Sequence, residues 1–195
     1  WVRLPVEQEG PQATFLSRLR DDPEGAPLAT PSGRIEIFSE TIEGFGYDDC
    51  PGHPVWLPPS EWLGAASNAA PLHLVSPQPG DKLHSQLESA LADVPGARPV
   101  ALAIHPSDAA ARAIAEGAIV RVHNARGACL ARAALTDDIT PGVVALPTGA
   151  WYGDAGENVD PHGNPNVLTP DIGTSKLGQG SSAHTALVQV SLNEG

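Results

Sequence analysis

Cations, cysteines and aromatic side chains are all scarce in this sequence. Lysine and arginine together number 11 against 23 acidic residues, a formal net charge of −12. A chain this acidic has no electrostatic footprint for nucleic acid or for an anionic membrane, so neither is expected as a partner. An anionic ligand would have to be held by backbone N–H groups and a few placed side chains. Long apolar runs are missing too, and none approaches the length of a membrane span. The opening WVRLPVEQEG lacks the basic and apolar regions of a signal peptide. Cys50 and Cys129 are too few and too far apart for a disulfide framework, which leaves cytoplasm and periplasm both open. Aromatics at 5%, with 20 prolines and 20 glycines in 195 residues, favour short elements joined by many turns. That texture is closer to a small β-barrel than to a helical bundle.

The first seventy residues are poorly periodic. Pro23, Pro27 and Pro31 punctuate a loop leading into Arg34–Phe38, where Ile35 and Ile37 alternate and predict a short strand. Gly44, Gly46, Pro51, Gly52, Pro54, Pro58 and Pro59 then mark a long irregular stretch, too poor in apolar periodicity for a core. Composition fits a flexible linker and a segment lying across a larger body equally well. Phe45, Tyr47, Trp56 and Trp62 are nonetheless costly to leave in solvent.

After Pro71 alternation takes over. Strands are predicted at Leu72–Ser76, Val100–His105, Ile119–His123, Ala128–Leu135, Val143–Pro147 and Ala186–Ser191. Pro106–Glu116 reads as a short helix, capped by Ser107 or Asp108 and ended by Gly117. Asn124–Gly127 suits a hairpin turn. Six strands with few helices predict a closed or nearly closed barrel.

Familiar site motifs fail on context. The seven histidines, at 53, 73, 84, 105, 123, 162 and 184, show no helical pairing and no H-E-x-x-H frame, so no protein-ligated metal is expected. Gly178–Ala183 fits G-x-G-x-x-A, but the residues after Ala183 read as a strand rather than the helix a dinucleotide fold requires. Gly173–Gly178 has the spacing of a Walker A start with Gln179 in place of the lysine. Ser181 lacks a nucleophile elbow. Three loops rich in neutral hydrogen-bonding groups are left, Ser76–Gln86, Gly149–Tyr152 and Gly163–Ser182. Such loops on a rigid scaffold are either a binding site or simply turns.

Those loops also carry a family resemblance. Leu83-His84-Ser85-Gln86 is succeeded far downstream by His162-Gly163-Asn164-Pro165-Asn166-Val167-Leu168-Thr169, then Asp171, Gly173–Leu177 and Gln179-Gly180. With Thr30–Ile37 and Tyr47–Pro54, these strings resemble the C-terminal part of the dimethyl sulfoxide reductase family. The branch they resemble most is that of biotin sulfoxide reductase and trimethylamine N-oxide reductase. The resemblance spans nearly the whole chain. It implies that residues 71–195 form a six-stranded double-psi β-barrel, mainly β with short helices, that binds a molybdopterin dinucleotide. Residues 1–70 would be the tail of the preceding cofactor-binding region.

The implied cofactor is molybdenum bis(molybdopterin guanine dinucleotide), shared with upstream domains of the same enzyme. The implied reaction is reduction of a small S-oxide or N-oxide by oxygen-atom transfer, the metal cycling between Mo(VI) and Mo(IV). Ser76, Lys82, His84, Ser85 and Gln86 would line the first contact loop, Asn166 the second, and Ala183 with His184 the third. Asn, Gln, Ser and His match the alternating donors and acceptors of a pterin edge while neutral. Lys82 stands where the family pattern leads one to expect arginine, keeping the charge without the bidentate fork. His184 stands where glutamine is expected.

In this branch a serine ligand to molybdenum and the substrate funnel come from a more N-terminal region, which no segment here matches. The chain is therefore expected to supply no catalytic residue and no metal ligand, and to be inactive alone. Two other readings are a stand-alone double-psi barrel serving as an interaction module, and the same domain from an enzyme of the formate dehydrogenase or nitrate reductase type. The LHSQ and GNPNVL strings favour the oxide reductase reading over the latter.

Overall fold

Leu72 and Leu74, Leu102 and Ile104, and Val120 and Val122 are fully or almost fully buried, while their neighbours along each strand are only half-buried. This period of two places one face of each strand inward. A computed structural model of the chain describes residues 14–67, 69–80, 82–86, 100–153, 156 and 158–193. The chain divides into two compact units, Trp1–Trp56 and Leu57–Gly195.

Among its described residues the first unit holds two short helices, α1 (Phe15–Asp21) and α2 (Glu40–Glu43). Thr14 and Ser39 cap them by accepting the amides of Ser17 and Ile42 at 3.2 and 3.3 Å. Arg34–Phe38 is not a strand. The Thr30 hydroxyl donates to the Arg34 carbonyl at 2.7 Å, and Glu36 Oε1 accepts from Ser32 Oγ at 2.8 Å, closing a local turn that competes with a ladder. Ile35 and Ile37 are 78% and 79% exposed, so their alternation serves no buried face within this unit.

Among the described residues the second unit is built from seven strands: β1 (Leu72–Val75), β2 (Ala101–Ile104), β3 (Ile119–His123), β4 (Ala128–Leu135), β5 (Val143–Ala145), β6 (Val159–Asp160) and β7 (Ala186–Leu192). Six of them close in the order β2-β5-β1-β7-β3-β4, with β4 pairing back to β2. The pairs β1–β5 and β2–β4 are parallel, and the remaining pairs of the ring are antiparallel. This is the closed six-stranded double-psi barrel expected from the sequence. Closure leaves no unpaired sheet edge around the ring. The interior is filled by Leu72, Leu74, Leu102, Ile104, Val120, Val122, Val144, Val188 and Val190, with small Ala131 and Ala133 where space runs out. The two-residue β6 lies outside the ring, beside the start of β4.

The predicted helix is shorter than expected. It spans Pro106–Ala110, here α3, and its cap is His105, whose Nδ1 accepts the Ser107 amide at 3.2 Å. Pro106 at the first helical position moves the cap back two residues, from Ser107 to His105. Ala113 at φ +55 stops the helix well before Gly117.

Strand direction decides where the polar loops emerge. Val75 pairs with Ala145 in the parallel pair, and Leu74 with Ala186 in the antiparallel one. The ends of β1 and β5 and the beginning of β7 therefore share one rim of the barrel. That rim carries the loops beginning at Ser76 and Leu146 and the loop ending at Thr185.

Candidate functional site

Ser76, first in its loop, is 2% exposed, and its hydroxyl has no hydrogen-bond partner among the described residues. Its amide donates to Nδ1 of His184 at 3.2 Å. A neutral ring in that bond carries its proton on Nε2. Nε2 of His73 in β1 donates to the His184 carbonyl at 2.7 Å. His184 is thus held by His73 in β1 and by Ser76 just after it, which brings the first and third predicted contact loops together.

Further along the first loop, Gln78 donates through Nε2 to the Lys82 carbonyl at 2.8 Å, and the Gln86 amide donates to the Leu83 carbonyl at 3.0 Å. Lys82 is half-buried, whereas His84, Ser85 and Gln86 are exposed. His84 sits at φ +50, a conformation that costs a non-glycine residue about 1 kcal/mol. Gly149, at φ +102, lies directly against it, and a Cβ there would collide with the His84 carbonyl oxygen. The indole N–H of Trp151 donates to the Ser85 carbonyl at 3.1 Å. The loop after β5 therefore braces the loop after β1.

Asn166 lies in a 3₁₀ turn, Pro165–Val167, whose cap is Asn164; Oδ1 of Asn164 accepts the Asn166 amide at 2.9 Å. It helps to line a recess of about 480 Å³ together with Thr169, Asp171, Gly173, Gln179 and Ser181. The far wall is a turn in which the Thr174 amide donates to the Gly180 carbonyl at 3.0 Å and Gly173 bridges to Ser181. Ala183 is half-buried and donates its amide to Ser181 Oγ at 3.2 Å.

Several organising residues escape a reading by sequence. Asp160, fully buried in β6, accepts the amides of Gly153, His162 and Asn164 at 2.7, 3.1 and 2.8 Å. His162 Nδ1 in turn donates to the Trp151 carbonyl at 2.9 Å. The neighbours of Asp160, in the order Asp-Pro-His-Gly-Asn, are turn formers and were the one available signal. Opposite Asp160 across the β4–β6 pair stands Cys129. Burial, and then the charge of Asp160, push its thiol up to about 12. Below the rim, Glu61 takes a bidentate fork from Arg126, with Nη2 to Oε2 at 2.8 Å, and accepts the Leu187 amide at 2.7 Å. The Arg126 hydrogen bond holds the Glu61 carboxyl below its ordinary value against the opposing effect of burial.

Polar, glycine-walled loops gathered on one rim of a closed barrel are the usual place for a binding site on a rigid scaffold. Residues 72–187 match the model of the Molydopterin dinucleotide binding domain, and the chain belongs to that family. It is similar to biotin sulfoxide reductase of Cereibacter sphaeroides, 51% identical over 194 residues, which is 98% of this chain and 26% of that protein. The dimethyl sulfoxide/trimethylamine N-oxide reductase of the same organism is 45% identical, over 97% of this chain and 24% of its own length. Trimethylamine-N-oxide reductase 1 of Escherichia coli K12 is 49% identical, over 95% of this chain and 23% of its own length. The chain spans about a quarter of the length of the curated relatives it matches. Among solved structures, acetylene hydratase from Pelobacter acetylenicus superposes with a TM-score of 0.67 at 21% identity, over 88% of this chain and 25% of that one. At that identity the match speaks to the fold.

Proposed function

We propose that this chain is the C-terminal, cofactor-covering part of a molybdenum oxidoreductase that reduces small S-oxides or N-oxides. The reading rests on family membership and on the reductase relatives, which align along nearly all of this chain. On this reading the preceding cofactor-binding region ends near residue 70, and upstream domains supply the metal ligand and the substrate funnel.

The cofactor in this reading is molybdenum bis(molybdopterin guanine dinucleotide), and the residues present suit it. The single observation that carries the fit is Ser76 Oγ, a buried hydroxyl without a partner among the described residues, at the head of the first loop. A buried polar atom of this kind costs free energy until something outside the described residues pairs with it. Ser76, Lys82, His84, Ser85, Gln86, Asn166, Ala183 and His184 would hold the group. His184 offers an Nε2 donor, Ser76 a hydroxyl, and Asn166 an exposed carboxamide beside the recess. Lys82 supplies one positive charge in a strongly acidic chain, suited to a pyrophosphate. When bound, the molybdenum centre supplies oxygen-atom transfer chemistry. This chain binds and orients one side of the cofactor and keeps water from it.

The test is turnover. The intact protein, reduced through a viologen dye, should consume dimethyl sulfoxide, biotin sulfoxide or trimethylamine N-oxide, and the 195-residue chain alone should consume none. Turnover by the chain alone, or none by the intact molybdenum-loaded protein on any of the three, would overturn the reading.

A further inference from the structure

We infer that Asp160 is the positioning residue that assembles the rim, fixing the segments carrying His84 and Ser85, Trp151 and Gly153, and Asn164 and Asn166 in register before any ligand arrives. The inference deepens the cofactor-binding reading and rests on it. Among the buried polar residues described, Ser76, Asp160 and Asn164, only Asp160 carries a charge, and it is 0% exposed. None of the ion pairs among the described residues involves it. Its charge is met by main-chain amides instead: Oδ2 accepts from Gly153, and Oδ1 accepts from both His162 and Asn164. Burying a carboxylate is costly, and apolar packing would fill the same space more cheaply, so its value here is geometric.

The contacts run outward from that carboxylate in two directions. On one side, Oδ2 fixes Gly153, two residues from Trp151. The Trp151 carbonyl accepts from His162 Nδ1 and its indole holds the Ser85 carbonyl. On the other side, Oδ1 fixes Asn164, whose side chain caps the turn carrying Asn166. One carboxylate therefore sets His84 and Ser85 relative to Asn166, although they are some eighty residues apart in sequence. It is itself anchored through the Cys129–Asp160 pairing to a barrel strand. Groups that must meet a rigid ligand gain most from being held in advance by such a supporting contact.

The test uses the intact protein and the variant Asp160→Asn, which keeps one acceptor oxygen and turns the other into a donor facing N–H groups. Amide hydrogen exchange at Gly153, His162, Asn164 and Asn166 should accelerate on the order of tenfold or more, with Val122 and Val190 in the barrel unchanged. Unchanged exchange at the four rim amides would overturn the proposal, and so would a uniform rise through the barrel, which marks plain stability. Molybdenum retained through gel filtration should fall several-fold relative to wild type, and equal retention would also overturn it. A wild type free of molybdenum would defeat the cofactor reading, and the exchange pattern alone would then decide the role of Asp160. Should Asp160→Asn not fold, Trp151→Phe removes only the indole link from an exposed side chain. It should accelerate exchange of the Gln86 amide and lower retention. If neither moves, the relay to the first loop is wrong.

Discussion

The imidazole of His184 accepts the amide hydrogen of Ser76 at 3.2 Å, joining the end of one rim loop to the start of another 108 residues away. Glutamine, the residue expected at this place from the sequence resemblance, has a side-chain oxygen able to accept the same hydrogen. His184→Gln should therefore retain molybdenum close to wild type in the intact protein. His184→Ala leaves the buried Ser76 amide unpaired, at a cost of about 1 kcal/mol, and should retain less. Equal retention in the two variants would show that the bond is dispensable.

Gly149 combines a left-handed backbone with the absence of a side chain. At φ +102 it faces the His84 carbonyl where no Cβ fits. Gly149→Ala should destabilise the rim by more than about 1 kcal/mol. Gly149→Asn, more tolerant of positive φ, should fare no better, because the collision remains. A lowered thermal midpoint in both variants checks this, and recovery in the asparagine variant would trace the effect to φ alone.

The Glu61–Arg126 pair makes one region of the barrel sensitive to acid. Because the folded-state pKa of Glu61 is lowered, chiefly by the Arg126 hydrogen bond, its contribution is fully present above the unfolded-state value near 4.5. That contribution is lost as pH falls through the lower folded value. The protection factor of the Leu187 amide, which donates to Glu61, should therefore drop in that window. In Glu61→Gln the drop should be absent and the protection already reduced at neutral pH, by about 1–2 kcal/mol for a partly buried pair.

Cys129 should be chemically silent in the folded protein. With its thiol pushed up to about 12, roughly one in ten thousand is ionised at pH 8, and the sulfur is fully buried. Iodoacetamide treatment and peptide mass spectrometry should show Cys129 labelled only after denaturation. Labelling in the native state would mean that β4 opens readily.

How far the sequence alone reaches depends on the kind of signal. The six ring strands are legible because pairs such as Leu72/Leu74 and Val120/Val122 alternate with period two against a single core. The same alternation at Ile35 and Ile37 misleads, because Thr30 and Ser32 close a local turn and no partner strand lies among the described residues of their unit. The helix after β2 is overread because a run of alanines conceals the left-handed stop at Ala113. Loop strings such as His84-Ser85-Gln86 are recognisable by family pattern, but their bracing is not. Asp160 acts through three main-chain amides from a strand two residues long, and His73 meets His184 across 111 residues. Neither arrangement leaves a periodic trace.

The central claim, that this rim covers a molybdopterin guanine dinucleotide in a larger enzyme, is tested most directly by analysing the intact purified protein for metal and nucleotide. Cells competent to make the cofactor should yield protein containing molybdenum, and acid hydrolysis should release GMP in about twofold excess over the metal, as a paired dinucleotide cofactor requires. Protein from such cells containing neither molybdenum nor GMP would contradict the account.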